Sequence, residues 1–519
     1  MIVLWGSNAR DTHPIFFHHV LRALKRGAKL YVVDPRVTST ARFAHRHLPV
    51  RVGGDIALAN AIARTILAEG LENRAFIQRA TEGFEAFEAV VREYGPEDKG
   101  AISGVDPALV RELARDFATA DRAMICWTLG ITEHHHAVEN VWSLINLALL
   151  CGQVGRYGAG LNPLRGQNNV QGGGDMGALP HKLPGFQDVE DATARAKYER
   201  SWGATIPPNK GWTLTEMFRA MERKDLTALW VIGENPAQSE ADAHHVRSLL
   251  TGLDHLVVQD LFVTKTAELA TVVLPACAGF AESEGTVTNS ERRVQRVRRA
   301  LAPPGQARDD LWIVAEMSKR LGRDFGAPSA RELWDEMREH SPLHRGMSYD
   351  RIEALGGIQW PCPDEASLGS SFLHGRLWEE PVQGPKAPFH AVEHRDPAEA
   401  LSEEFPLRLT TGRRLSEFNT GVQSKGLASP LVKDEAIEVS PEDLAALALR
   451  EGERVRVRSR RGAVIAPVRV DRGLPKGLVF LTLHQPESVD TNLLTIEATD
   501  PRAGTAEFKA AAVRIERCE

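Results

Sequence analysis

One arrangement occurs twice in this chain and restricts the fold more than any other feature. It consists of a short apolar strand, an exit loop with glycine and asparagine, a helix, a second strand and an aspartate at its end. In the first copy the strand is Ile2-Val3-Leu4-Trp5 and the loop Gly6-Ser7-Asn8-Ala9-Arg10-Asp11. The helix is Ile15–Arg26, with Phe16, Val20 and Leu24 on one face, and the second strand Leu30–Val33 is closed by Asp34-Pro35-Arg36. In the second copy Leu229–Ile232 leads through Gly233-Glu234-Asn235-Pro236 to a helix at Ala241–Leu250. Leu256–Val258 follows, ending in Gln259-Asp260, with a third strand at Val272–Pro275. Such units pair their strands in parallel and hold ligands beyond the strands' carboxyl ends. Two of them predict two related α/β domains, each offering a nucleotide-sized site. Asp34 suits a ribose hydroxyl or, equally simply, a turn before proline, and Arg36 suits a phosphate or a base edge. GSNARD is not G-x-G-x-x-G, so an ordinary nicotinamide site is poorly matched.

Between the copies lie helices near Ile56–Glu69 and Pro107–Ala120, a strand at Ala123–Thr128 ending in Leu129-Gly130, and an all-round apolar helix at Val138–Leu150. Then comes LNPLRGQNNVQGGGDMGALP, Leu161–Pro180, with one arginine, a run of amides, five glycines and one carboxylate, Asp175. Glycines admit close approach of backbone to a ligand, amides donate and accept at once, and an arginine grips a planar anion with two prongs. The stretch reads as a loop over a large polar ligand beside a small anion, with a plain Gly-rich surface loop as the alternative.

The arginine run Glu291–Arg299 alternates with valine and predicts a strand with one solvated cationic face. Short β runs at Leu407–Thr411, Arg454–Ser459, Ala463–Val470 and Leu478–Leu483 predict a small barrel. Its tail, Thr491–Thr495 and Gly504–Lys509, is unusually polar for a barrel core. The expected division is 1–165 and 166–282 as α/β domains, 283–380 as a connecting region, 381–400 as a linker and 401–519 as the barrel.

A net charge of −6 with no long block of one sign argues against a sequence-independent nucleic-acid surface, and no apolar run spans a membrane. The five cysteines are scattered, never at CxxC spacing, which fits a reduced cytoplasmic setting. The pairs and triplet His18-His19, His134–His136 and His244-His245 do not face one another if helical and have no carboxylate at ligand spacing. No metal ligand is assigned.

The motifs GSNARDTHP, YVVDPR, LNPLRGQNNVQGGGDMGALP, VIGENPAQSEAD, VVQDLFVTKTAELATVVLPA, ESEGTVTNSERRVQRV and TNLLTIEATDP run from one end of the chain to the other. Together they resemble the molybdopterin oxidoreductase superfamily, in particular the catalytic alpha subunits of molybdenum- or tungsten-dependent formate dehydrogenases. The resemblance implies two pyranopterin guanine dinucleotides on one metal. It places Gly6, Asn8, Asp11, Asp34, Arg36, Asp55 and Gly130 in one dinucleotide site, and Gly233, Glu234, Asn235, Gln259 and Asp260 in the other. Gly166 and Gln167 would lie near the pterin, with Thr411, Arg413, Asn492 and Lys509 reaching in from the barrel. Arg165 matches the arginine that acts on the substrate beside the metal. The implied reaction is oxidation of formate to carbon dioxide, with electrons leaving through iron–sulfur clusters to partner subunits carrying such clusters or flavin.

The chain also departs from the pattern. Family members open with cysteines holding a 4Fe–4S centre, followed by a selenocysteine or cysteine metal ligand and then histidine, and neither region is present. The earlier stretch that completes the second α/β domain is missing too. The expectation is a truncated reading of a longer protein, for example one in which an in-frame selenocysteine codon was taken as a stop. Two alternatives to formate oxidation follow: a related enzyme of the assimilatory nitrate reductase type, and a non-catalytic dinucleotide-binding fragment.

Overall fold

A computed structural model describes residues 1–420 and 434–518. The chain divides into two compact units, the first built from Met1–Leu164, Gln238–Arg247 and Phe372–Glu519, the second from Arg165–Ala237 and Ser248–Ser371.

In the first unit the strand Ile2–Trp5 is nearly all buried and lies at the centre of a five-stranded parallel sheet. The strand order is Arg46–Leu48, Leu30–Val33, Ile2–Trp5, Met124–Trp127, Gly160–Pro163. In register, Ile2 faces Leu30 on one side and Met124 on the other. Continuous apolar strands are what a parallel sheet covered on both faces requires. The helix Asp55–Ala68 supplies much of that cover, with Ile56, Leu58, Ile62 and Ile66 fully buried. The helix Ala137–Leu150 is buried over most of its surface, as its all-round apolar pattern predicts.

The same unit contains a closed barrel of six strands, ordered Leu407–Gly412, Leu478–Thr482, Ile437–Val439, Ala463–Val470, Arg454–Arg458, Ala511–Arg517. Arg454–Arg458 shows why it closes: Val455 and Val457 are buried and the three arginines are exposed, the period of two of a strand with one wet face. The polar tail does not enter the barrel wall. Ile496–Thr499 pairs with Ala506–Glu507 in a separate ribbon. Residues 381–400 have no helix and one two-residue strand, yet they are fastened along their length. Phe389 stacks on Phe87, His390 on Trp142, and the Asn60 amide donates to the Val392 carbonyl. Gln238–Arg247 is held within this unit as well: the Asn492 amide donates to the carbonyls of Gln238 and Ser239 at 2.9 and 3.0 Å.

The second unit has a three-stranded parallel sheet ordered Val272–Pro275, His255–Asp260, Ala228–Ile232, whose edge residues Val272 and Val273 are exposed. A second, antiparallel sheet joins Gly285–Thr288, Arg293–Val297 and Ile358–Gln359. Here the arginine run departs from the expected solvated face. Arg296 lies 3.5 Å over the Tyr349 ring, Arg292 lies 5.3 Å over Trp360, and both are half-buried. Aromatic faces attract guanidinium groups, so the cationic edge is packed. The expected class, α/β sheets followed by a β-barrel, is the fold observed. No described helix is long and apolar enough to cross a membrane.

Candidate functional site

In the first unit the strand order reverses between Ile2–Trp5 and Met124–Trp127, so the loops leaving those strands part and open a crevice at their carboxyl ends. Gly6 and Gly130 meet there. Gly6 has φ +56°, and a Cβ on it would lie 2.8 Å from the Gly130 carbonyl carbon. Gly130 N donates to Gly6 O at 3.2 Å and Thr128 Oγ1 donates to the same oxygen at 2.7 Å. The next residue, Ser7, is buried and its hydroxyl has no hydrogen-bond partner among the described residues. Buried hydroxyls are almost always paired, so one at a crevice with no protein partner is open to a ligand or a water.

The other expected residues of this crevice mainly hold its walls. Asn8 Oδ1 accepts from Ser39 Oγ and Thr40 Oγ1 at 3.0 and 2.8 Å, while Asn8 Nδ2 donates to Asp11. Asp11 also accepts from Ser39 Oγ at 2.7 Å, tying the first loop to the second. Asp34 accepts from the Arg36 amide at 2.9 Å, the turn geometry expected before proline. Asp55 accepts from Trp5 Nε1 at 2.8 Å. Burial pushes both carboxyls above the ordinary range; Arg36 opposes it at Asp34, and His134 at Asp55. Arg36 lies 3.6 Å over the Phe480 ring of the barrel, 3.8 Å from Glu438.

The barrel residues converge on the same unit. Lys509 pairs with Glu133 at 2.6 Å and donates to the Thr411 carbonyl at 3.2 Å, and Thr411 Oγ1 donates to the Phe508 carbonyl. Arg413 donates to the Glu417 carbonyl at 2.9 Å and lies 4.5 Å over Phe418. Asn492 is committed to Gln238 and Ser239, as described. The histidine triplet overturns the expectation of residues without a carboxylate. His134–His136 sit in the turn between the helices Leu129–Thr132 and Ala137–Leu150, not in a helix. Glu507, fully buried, is 2.7 Å from His134 Nδ1 and 2.9 Å from His135 Nδ1, and accepts from the His135 amide at 3.0 Å. Against the upward push of burial, His134 and His135 hold the Glu507 carboxyl far below its usual range. His134 Nε2 faces the Gly130 carbonyl at 3.1 Å, so this buried pair connects the barrel tail to the glycine contact.

In the second unit Gly233 has φ +63° and donates to the Gln259 carbonyl at 2.8 Å, and Glu234 is exposed. Asn235 is buried and accepts from Thr266 N and Oγ1 at 3.1 and 2.8 Å. Asp260 caps its own turn, accepting from Leu261 N and Phe262 N. Gln259 is fully buried; its amide nitrogen donates to Asp310, while Oε1 has no partner among the described residues. An orphaned polar atom thus lies at the carboxyl end of a strand in each repeat, Ser7 just past Ile2–Trp5 and Gln259 as the next-to-last residue of His255–Asp260.

The amide-rich stretch forms the strand Gly160–Pro163, an exposed loop and the short helix Val170–Asp175. Arg165, Gly166 and Gln167 are exposed. The Arg165 amide donates to Ser290 Oγ at 3.2 Å, and its guanidinium to Gln171 Oε1 at 3.3 Å. Asn169, at φ +67°, accepts from Thr288 N at 3.0 Å and pins the turn.

A dinucleotide needs close backbone approach, unpaired polar groups and strand-end loops. The Gly6–Gly130 contact and Ser7 provide these in the first unit, so the residues present there fit such a ligand, and Gln259 offers an unpaired polar atom in the second unit taken by itself. Ser7, Thr128, His134 and Glu507 were not among the expected site residues. Ser7 sits between two that were, and Glu507 is the only carboxylate in the polar tail segment Gly504–Lys509.

Comparison with known proteins agrees with this architecture. Residues 1–320 match the molybdopterin oxidoreductase family and residues 407–512 the molydopterin dinucleotide binding domain. The alpha subunit of a formate dehydrogenase from Methanocaldococcus jannaschii is 40% identical over 99% of this chain and 76% of its own length. The assimilatory nitrate reductase catalytic subunit of Bacillus subtilis is 32% identical over 99% of this chain and 74% of its own length. Acetylene hydratase from Pelobacter acetylenicus shares the fold, with a TM-score of 0.77 at 21% identity over all of this chain and 78% of that one. The chain belongs to the molybdopterin oxidoreductase family, and is an enzyme of that family.

Proposed function

We propose that this chain is the catalytic subunit of a formate dehydrogenase, oxidising formate to carbon dioxide at a bis-molybdopterin guanine dinucleotide carrying molybdenum or tungsten. The observation that carries the reading is Arg165, an exposed guanidinium on the glycine- and amide-rich loop, in a chain 40% identical to a formate dehydrogenase alpha subunit. Formate is a planar monoanion, and a guanidinium matches its two oxygens with parallel N–H donors. Held that way, the carboxylate is fixed and its C–H bond has one direction, an orientation role with an electrostatic one.

Gly6, Ser7 and Gly130 would receive one dinucleotide, with Asn8, Asp11, Asp34, Arg36 and Asp55 shaping its loops and Thr411, Arg413 and Lys509 bordering it. Gly233, Glu234, Asn235, Gln259 and Asp260 would serve the other, Gly166 and Gln167 the pterin, and Asn492 would hold Gln238–Arg247 in place. When bound, the metal on its pyranopterins supplies a two-electron acceptor. Partner subunits with iron–sulfur clusters or flavin would receive the electrons. The five unpaired cysteines suit a reducing cytoplasm.

A second reading, nitrate reduction, rests on the 32% identity to the Bacillus subtilis enzyme. Assay of the purified, metal-containing enzyme with each substrate separates them: formate-dependent reduction of an artificial electron acceptor is expected, and nitrate turnover without formate oxidation would replace the first reading with the second.

A further inference from the structure

We propose that Gln171 and Asp175 are positioning residues that set the direction of the Arg165 guanidinium. This rests on the reading of Arg165 as the substrate-binding arginine and adds the device that aims it.

The three side chains form one hydrogen-bonded line within the second unit. Arg165 Nη2 donates to Gln171 Oε1 at 3.3 Å, and Gln171 Nε2 donates to Asp175 Oδ1 at 3.0 Å. Gln171 and Asp175 are four apart on the short helix Val170–Asp175, the spacing that puts two side chains on one face. The far end is fixed. Asp175 is 2% exposed, and its other oxygen accepts from Trp360 Nε1 at 3.0 Å, with His344 Nε2 3.6 Å away. His344 is itself fully buried and bonded to Ser341 Oγ through Nδ1 at 2.7 Å. The near end is fixed by Ser290 on the Arg165 amide and by Asn169 on Thr288. Gly172 admits this packing: a Cβ there would meet Asn169 Oδ1 at 1.9 Å and displace the amide that holds Thr288.

The chemistry explains why the middle member is an amide. A guanidinium only donates and a carboxylate only accepts, so a residue between them must accept on one side and donate on the other. That requirement also settles the amide's orientation, oxygen toward Arg165. A carboxylate at position 171 would bind Arg165 as well, but it would neutralise the charge the substrate needs. Glutamine directs the guanidinium and leaves its charge for formate. Desolvation by the surrounding protein lowers the Arg165 proton affinity, and the charge of Asp175 opposes that change.

The test compares Gln171→Leu, Gln171→Glu and Arg165→Ala in the purified enzyme with its partner subunits. Metal and guanine nucleotide per chain are measured beside KM and kcat for formate. Loss of one hydrogen bond to a charged group is worth about tenfold or more, so Gln171→Leu should raise KM for formate about tenfold with cofactor content unchanged. Gln171→Glu, nearly isosteric, should raise KM further, because its carboxylate competes with formate. The double variant Arg165→Ala/Gln171→Leu should be no worse than Arg165→Ala alone. If Gln171→Glu is milder than Gln171→Leu, or the two losses add, Gln171 only braces the loop and the inference is overturned. Near-normal formate turnover in loaded Arg165→Ala would instead remove the reading on which it rests.

Discussion

Ser7 and His136 are buried groups with opposite consequences. Among the described residues Ser7 has no partner for its hydroxyl, so Ser7→Ala removes none of their hydrogen bonds. The variant should fold with unchanged melting temperature after cofactor removal, yet retain less guanine nucleotide on gel filtration. Equal nucleotide retention would exclude Ser7 from the site. His136 is a question of protons. Burial, with the charges of His134 and His135, pushes its imidazole down to about 3 from an ordinary 6.5. Across that window the unfolded chain binds the proton and the folded chain does not, so acid destabilises the fold as pH falls from 6.5 toward 3. His136→Gln should flatten the decline of stability in that range by up to about 1.4 kcal/mol per pH unit. Matching slopes for the two proteins would show that His136 does not titrate this way.

At the scale of elements, the repeated strand–loop–helix pattern carries its consequence into three dimensions through Gly6. Its positive φ and the 2.8 Å approach of Gly130 leave no room for a side chain. Gly6→Ala should cost at least about 1–3 kcal/mol of stability and reduce cofactor loading, measured by thermal melting and metal content. Unchanged melting would mean that the two loops separate at little cost. The strands themselves were legible: Leu30–Val33 and Val272–Pro275 have the bounds their apolar runs predict. The roles of individual loop residues were less so. Nothing in the order Gly-Ser-Asn reveals that Asn8 is consumed by Ser39 and Thr40 while the Ser7 hydroxyl has no partner among the described residues. The arginine run was misread for a similar reason, since its stacking partners Tyr349 and Trp360 lie far away in the chain.

For the whole molecule, the sequence pattern conveyed two α/β sheets and a barrel but not what fastens the first sheet and the barrel within the first unit. Glu507 looked like an odd polar residue in a barrel tail. It is the buried partner of His134 and His135, 372 residues away from the latter, and such pairing leaves no local periodicity to detect. Residues 381–400 resembled a free linker because their contacts, Phe389 on Phe87 and His390 on Trp142, follow no helical or strand period. The substrate reading was legible in one place, the arginine set among amides, and the proposed formate oxidation by this chain depends on Arg165. The most direct measurement is formate-dependent acceptor reduction by wild type and Arg165→Ala, with metal and guanine nucleotide determined in the same samples. Equal cofactor content and a loss of formate kcat/KM of about 100-fold or more are expected in the variant. Equal cofactor content with near-normal formate turnover would contradict that dependence.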